Sequence, residues 1–288
     1  MTCGICSGPL RLRYRGDAPE LVAAAFAPSC HSVSGYADLY ACERCGTVQQ
    51  PDLPSGAELH DLYRDMRDDA YLGEEAGRRV TARRLLAAIE RNAPRGRMLE
   101  VGCGDGSLAR ELASAGYDVL AIDPVAPDGP IFRRVTLEEL DDPGPFDAVV
   151  ASRSLHHVHD LGAALDRIAA LLQPGGLLLL NEFAWERLDE PTADWYYGQL
   201  RALGAARGSA VPRSLEALRE DWAAEHDGLH GSDVLLAALG ARFDERSLEW
   251  EPYLWRYVDG VSTRDLEQTL VEVGAIQPLG YRWSGTAR

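Results

Sequence analysis

The alternation of apolar and polar positions splits the chain into a polar, cysteine-bearing front and a long stretch of short apolar runs separated by amphipathic ones. From Val80 through Leu85, Leu86 and Ile89 the apolar residues recur at helical spacing, and Pro94 and Gly96 end the pattern. RMLEVGC then predicts a short strand, and GDGSLARELASAG a turn opening an amphipathic helix that ends at Gly116. DVLAID predicts a second strand, IFRRV a weak third, FDAVVAS a strong fourth and GLLLLNEF a fifth. Between the last two, DLGAALDRIAALLQPGG predicts a helix with a Pro-Gly-Gly stop. Strands and helices alternating at this rhythm predict a parallel sheet covered on both faces.

Beyond residue 190 the pattern is mostly helical, over about 191–204, 213–225 and 231–240. SLEWEPYLWRYV (247–258) then predicts a strand, TRDLEQTLVEVG a helix and AIQPLGYRWSG a last strand. No apolar run reaches the length of a membrane span. LLLL at 177–180 lies between Gly176 and Asn181 and reads as a buried strand. The N-terminus lacks the apolar core of a signal peptide, so a cytoplasmic protein that does not enter a membrane is expected.

Composition changes this picture in one respect. The chain is 46% hydrophobic and 26% charged, as ordinary globular proteins are, but its net charge is −16 and its 29 basic residues are all arginine. Phosphate backbones are bound by basic surfaces, so duplex DNA and rRNA are disfavoured and metabolite-sized partners fit better.

Two C-x-x-C turns, Cys3/Cys6 and Cys42/Cys45, have zinc-ribbon spacing, and Gly46 follows the second as a tight metal turn prefers. Four thiolates would close the coordination sphere, making the zinc structural, and would supply the folding free energy that so small a segment lacks. Disulfide pairing conflicts with a cytoplasmic setting, and neither pair follows the strand of a βαβ redox motif. Cys30 and His31, side by side between the pairs, are possible alternative ligands or plain loop. The turn-rich PDLPSG (51–56) separates an expected zinc module at 1–54 from a second domain at 55–288.

LEVGCGDGSLA carries the clearest chemistry. A strand ends near Glu100, and Gly102, Gly104 and Gly106 form a turn at a helix N-terminus, where backbone can approach a ligand and N–H groups are free. Asp123 ends the next strand about twenty residues on, where an acid can accept both ribose hydroxyls of an adenosine. Together with FDAVVASRSLHHV and LLQPGGLLLL in order, these residues resemble the class I S-adenosylmethionine-dependent methyltransferases over roughly residues 95–185. The resemblance implies an α/β, Rossmann-like, seven-stranded sheet of order 3-2-1-4-5-7-6, with the helical insertion at about 190–242 as a lid.

It also implies S-adenosylmethionine as cofactor. Glu100 would orient the amino group, Gly102, Cys103 and Gly104 would line the methionyl part, and Asp123 with Pro124 would hold the ribose. Ser152 and Arg153 would lie near the sulfonium, and Tyr71 and Arg79 over the carboxylate. Only APDGP separates Asp123-Pro124 from the third strand, so the helix usual there should be short or missing, leaving the adenine to the loop at Thr136, Leu137 and Glu138.

For methyl transfer, His156, His157 and His159 supply candidate bases at the fourth-strand mouth, with Glu182 as a further base or hydrogen-bond partner. WYY at 195–197, Trp222 and EPYLWRY offer aromatic walls, and His226 and His230 could join the acceptor site or, with other histidines, hold a metal. The front end is similar to methyltransferases of nucleotide-linked sugars and secondary metabolites, whose sugar C-methylating members carry a further C-terminal domain that is not expected in this protein. The expected function is therefore methylation of a small molecule in specialised metabolism. RNA-base methylation guided by the ribbon, and a non-catalytic cofactor-binding or partner-recruiting module, are the alternatives.

Overall fold

Alternate residues of the apolar strands pack against helices on opposite sides of one sheet. The computed structural model describes residues 1–16, 38–50, 75–93, 95–142, 144–207, 211–258 and 261–288, and divides the chain into two units, 1–71 and 72–288. In the first unit β1 (Leu10–Tyr14), β2 (Leu39–Cys42) and β3 (Val48–Gln49) form an antiparallel sheet in that order, with Leu10 opposite Cys42 and Ala41 opposite Val48. Among the eleven residues of these three strands only Cys42 is buried.

The second unit begins with α1 (Glu75–Asn92), then β4 (Arg97–Val101), α2 (Ser107–Ser114), β5 (Asp118–Ile122), β6 (Phe132–Arg133) and β7 (Phe146–Ser152). No helix stands between Asp123 and β6, as the short APDGP link predicts. There follow α3 (Leu161–Leu171), β8 (Leu172–Phe183), α4 (Glu190–Arg207), α5 (Leu215–Glu225), α6 (Ser232–Gly240), β9 (Phe243–Glu251), α7 (Trp255–Val258), α8 (Val261–Glu272) and β10 (Gly280–Ala287). The sheet order is β6-β5-β4-β7-β8-β10-β9, or 3-2-1-4-5-7-6 counted within the unit. The first five strands are parallel, and β10 inserts antiparallel between β8 and β9.

One face places Met98, Ala148, Val150, Leu177 and Leu179 against α1 and α2, around Leu85, Ile89 and Leu112. The other places Leu99, Val101, Val149, Leu178 and Leu180 against α3 and α6, around Leu165, Ile168 and Leu235. This period of two decides on which side each functional residue stands.

Two boundaries differ from the sequence expectation. The strand over 247–258 instead starts at Phe243 and stops at Glu251, and Trp255–Val258 is a helical turn. Pro252 cannot donate to a ladder. The buried Glu267 carboxylate then accepts the N–H groups of Tyr253 (2.7 Å), Leu254 (2.9 Å) and Trp255 (2.7 Å), which turns the chain into a helix start. β8 begins at Leu172 rather than after the glycines: Phe146 pairs with Leu172 and Ala148 already with Leu177, so the Pro-Gly-Gly residues bulge within the strand.

Candidate active site

The turn after β4 is held by the next strand. The N–H groups of Gly102 and Cys103 both donate to Ile122 O (2.9 and 3.1 Å), and Gly104 N–H donates to Asp123 Oδ2 (2.9 Å). Gly102, Gly104 and Gly106 have φ of +74°, +51° and +73°, where a side chain is strained. Two of these glycines are also demanded by packing. A Cβ on Gly102 would sit 2.3 Å from Ser154 Cβ, and one on Gly106 would sit 2.5 Å from the Phe132 ring. The turn is therefore compressed by the protein itself as well as shaped for a ligand.

Glu100 stands on the α1–α2 face, 2% exposed, and its Oε2 has no hydrogen-bond partner. Burial, then the negative charges of Asp105 and Asp123, push its pKa well above the ordinary carboxylate range. Asp123 is also raised by burial, against the pull of N–H donors from Val125 and Gly104. Asp105 goes the other way. Burial alone would raise it, but hydrogen bonds from Ser107 and the pair with Arg78 (Nε to Oδ2, 2.8 Å) hold it low. Burial and the Glu100 and Asp123 charges push the Cys103 thiol up, so it stays protonated.

At the end of β7, Arg153 adopts a left-handed backbone (φ +56°) and its N–H donates to Asn181 O at 2.8 Å. Such conformations in a non-glycine residue persist only where surrounding contacts enforce them. Asn181 Nδ2 donates to Ser152 Oγ at 3.2 Å. Ser154 ties the turns together, its hydroxyl donating to Val101 O (2.9 Å) and its N–H to Glu182 Oε1 (3.0 Å).

Glu182 also accepts Leu155 N–H (2.9 Å), and its Oε2 lies 2.6 Å from His156 Nδ1. Burial would raise this carboxylate, but attraction to His156 when that ring is protonated, the hydrogen bond from its Nδ1 and the two backbone donors lower it. Glu182 is thus the anion and Nδ1–H the donor, leaving Nε2 as the nitrogen of His156 that can exchange a proton. His157 lies alongside, ring centroids 4.1 Å apart. The residue is exposed, but crowding by protein and then the charge of a protonated His156 depress its pKa, so it is neutral at pH 7.

Aromatic rings continue from this pair. Phe183 meets His156 edge-on (4.9 Å) and stacks on Tyr253 (4.8 Å), while His226 lies 5.3 Å from Phe183 and 4.3 Å from Trp222. Phe183, Tyr253 and Trp222 are all buried, so part of this wall is core. His226 Nδ1 and His230 Nε2 are bonded to Trp222 O and Val158 O, and among the described residues no histidine group is gathered for a metal. His159 is exposed, and the neighbouring Asp160 caps α3 by accepting Ala163 N–H at 2.9 Å.

Of the other expected cofactor residues, Pro124 follows Asp123 half-buried and Leu137 packs into the α3–α6 face. Thr136 and Glu139 bond each other's N–H groups (3.1 and 3.3 Å), which fixes the turn that carries Glu138. Tyr71 lies outside the described residues, as do Cys30 and His31. Arg79 is exposed, whereas its neighbour Arg78 is the buried one, reaching under the glycine turn to Asp105. Sequence reasoning passed over Ser154, Asn181, Arg78 and Asp105, because nothing local in the sequence marks a residue that works by touching another turn.

In the first unit the four cysteine sulfurs lie within 4.8 Å of one another, with Cys3–Cys45 at 3.7 Å and Cys6–Cys42 at 3.4 Å. A tetrahedral zinc with bonds of about 2.3 Å would set sulfurs about 3.8 Å apart. The two turns repeat one geometry. Ser7 N–H bonds Cys3 O and Gly46 N–H bonds Cys42 O, and both residues have positive φ (+56° and +74°). Ile5 and Arg44 N–H groups point at Cys3 Sγ (3.4 Å) and Cys42 Sγ (3.3 Å), as donors stabilising thiolates do. A Cβ on Gly8 would sit 2.9 Å from Cys42 Sγ, so the chain closes tightly on the cluster.

The strand order and the glycine turn, with buried Glu100 behind it, are those of the class I methyltransferase fold. The chain belongs to the methyltransferase domain family, whose profile matches residues 73–225. A ubiquinone biosynthesis O-methyltransferase of Bradyrhizobium sp. (strain ORS 278) is 38% identical over 98 residues, 30% of this chain and 39% of that protein. An uncharacterized methyltransferase of Mycobacterium bovis is 38% identical over 102 residues, 30% of this chain and 50% of that one. The chain thus spans about two fifths to half of these relatives. The 1,6-didemethyltoxoflavin N1-methyltransferase of Burkholderia thailandensis, solved with 1,6-didemethyltoxoflavin and S-adenosylhomocysteine, aligns at a TM-score of 0.46 and 19% identity, over 86% of this chain and 95% of that one.

Proposed function

We propose that residues 55–288 transfer a methyl group from S-adenosylmethionine to a small-molecule acceptor, and that a structural zinc held by Cys3, Cys6, Cys42 and Cys45 folds a module at 1–54. The observation that carries the first part is Glu100. A buried carboxylate with an unbonded oxygen is expensive to keep, and its place behind the glycine turn suits the ammonium group of the cofactor. The Gly102–Gly104 backbone lines the methionyl part, Asp123 and Pro124 flank the ribose, and Thr136 and Leu137 border the adenine. Ser152 and Arg153 stand nearest the reacting end, and Tyr71 belongs to the same cofactor set.

When bound, the cofactor supplies a sulfonium methyl group open to in-line displacement. His156 takes the acceptor's proton at Nε2, because Glu182 holds Nδ1 and remains ionised to stabilise the resulting imidazolium. His157 stays neutral beside it and adds no opposing charge. Residues 190–242 serve as the lid, and the aromatic rings beyond Phe183 wall the acceptor. The −16 charge supports a metabolite over RNA, and we place the enzyme in cytoplasmic, specialised metabolism. The test is calorimetric titration of the full chain with S-adenosylmethionine and S-adenosylhomocysteine. Binding of both at micromolar concentration is expected, and failure of both to bind refutes the reading.

A further inference from the structure

Asp105 lies between two glycines in left-handed backbone, Gly104 (φ +51°) and Gly106 (φ +73°). Glycine loses more conformational freedom on folding than any other residue, so a turn this rich in it keeps one shape only where contacts from outside fix it. On one side the fixing comes from β5, through Ile122 O and the Asp123 carboxylate. On the other it comes from α1. Arg78 Nε donates to Asp105 Oδ2 at 2.8 Å, while Oδ1 accepts Ser107 N–H at 2.9 Å and joins the turn to the first residue of α2. Arg110 adds a bond to Asp105 O (2.7 Å) from an exposed side chain.

Burying an ion pair at this spot gains the fold little. Arg78 is 6% exposed, and the cost of taking a guanidinium and a carboxylate out of water offsets most of their attraction. Apolar side chains would join α1 to the turn as well. What the charge-assisted bond adds is direction, because it fixes the angle at which the Asp105 side chain leaves the backbone between the two glycines.

The helix that carries Arg78 is itself held on two sides. Ala82, Leu85 and Ile89 of α1 pack with Leu108, Ala109 and Leu112 of α2. Thr81, one turn beyond Arg78, accepts Arg256 Nη1 from α7 at 2.7 Å and donates to Gly77 O at 3.0 Å. Arg78 thus reaches the turn from a rigid element, as a side chain must if it is to hold a binding site to a fraction of an ångström.

We propose that Arg78 is a positioning residue of the cofactor site: through Asp105 it holds Gly104 and Gly106 in the backbone geometry that receives the methionyl part of S-adenosylmethionine, without touching the ligand. This role rests on the methyltransferase reading.

The full chain is titrated calorimetrically with S-adenosylhomocysteine, and each variant's thermal midpoint is recorded so that affinities are compared well below it. Arg78→Gln and Asp105→Asn should each weaken binding by about tenfold, as loss of a charged hydrogen bond does. The double variant should bind no worse than either single one, since both remove the same link. Arg78→Lys keeps a charge on a flexible stem able to reach one carboxylate oxygen, and should stay within about threefold of the parent. Asp105→Asn retains an oxygen for Ser107 N–H, so it and Arg78→Lys carry the test should Arg78→Gln not fold. Parental affinity in Asp105→Asn, whatever its thermal midpoint, overturns the proposal, because the pair would then serve the fold alone. A double variant weakened by the product of the two single effects overturns it as well, since Arg78 would then act on the ligand directly. A parent that binds no S-adenosylhomocysteine refutes the methyltransferase reading and this role together, whereas a binding parent with unaffected variants refutes this role alone.

Discussion

Glu100→Gln should make the ligand-free protein more stable and its cofactor binding weaker. In the parent, the carboxylate is 2% exposed, one oxygen is unbonded, and Asp105 and Asp123 add like charge. Its folded-state pKa is therefore raised above the 4.5 of a free glutamate. For a raised acid the linkage sign is unfavourable at high pH. Below the unfolded value both states are protonated and no penalty exists. As pH rises from there through the folded value, the unfolded state ionises first and stability falls.

Glutamine keeps the shape and removes the charge. A buried polar group without a partner costs about 1–3 kcal/mol, more when charged, so a gain of that order is expected near pH 8. In a unit of this size each kcal/mol moves the thermal midpoint by about 2–4 °C. The gain should shrink as pH approaches 4.5, because the parent's carboxylate is then neutral. S-adenosylhomocysteine affinity should fall about tenfold to a hundredfold with the loss of a charged hydrogen bond. The measurements are thermal unfolding from pH 4.5 to 8 and calorimetric titration. A variant less stable than its parent at pH 8, or one binding S-adenosylhomocysteine as tightly, would refute the reasoning.

Other changes test other parts. His156→Ala should lower single-turnover methyl transfer by about 10²–10⁴-fold with S-adenosylhomocysteine affinity nearly unchanged, and unaltered turnover would remove it as the base. Glu182 has a lowered folded pKa, so its stabilisation is present above the ordinary carboxylate value and lost as pH falls through the folded one. Glu182→Gln should accordingly flatten the acid limb of a stability–pH curve, and an unchanged limb would count against the ion pair. Gly102→Ala must place a side chain at φ +74° against Ser154. A loss of at least about 1–2 kcal/mol in denaturant unfolding is expected, and no loss would mean that Ser154 yields freely. Elemental analysis of protein purified without chelator should find one zinc per chain, reduced to near none by Cys45→Ser, and a zinc-free parent would remove the metal assignment.

The apolar pattern was enough to place the five parallel strands and the helical stretch after residue 190, because strand and helix periods differ sharply where burial is strong, while the strand order came from the family resemblance. It failed where a distant group decided the local structure. Residues 252–258 read as strand, since Tyr253, Leu254 and Trp255 are apolar and β-prone, but Glu267 supplies a carboxylate to their N–H groups from the next helix. The site was legible to a similar depth. Motif residues at turns, such as Gly102 and Asp123, announce themselves by type and spacing. Arg78 and Asp105 do not, because they lie on separate elements and meet only in the folded unit.

Three fully buried glutamates in one unit separate their roles by the donors each receives. Glu267 takes three backbone N–H groups and feels the charge of Arg264, and although burial still raises its pKa, its oxygens are satisfied and shape the start of α7. Glu182 takes two N–H groups and a histidine, which together overcome burial, so it is an anion at neutral pH and sets the tautomer of His156. Glu100 has an unbonded oxygen and two acids nearby, so burial prevails. Of the three it alone gains from an incoming cation. An ammonium group placed there would relieve the penalty that the folded protein otherwise carries, so the energy stored in burying Glu100 reappears as affinity for the ligand that neutralises it.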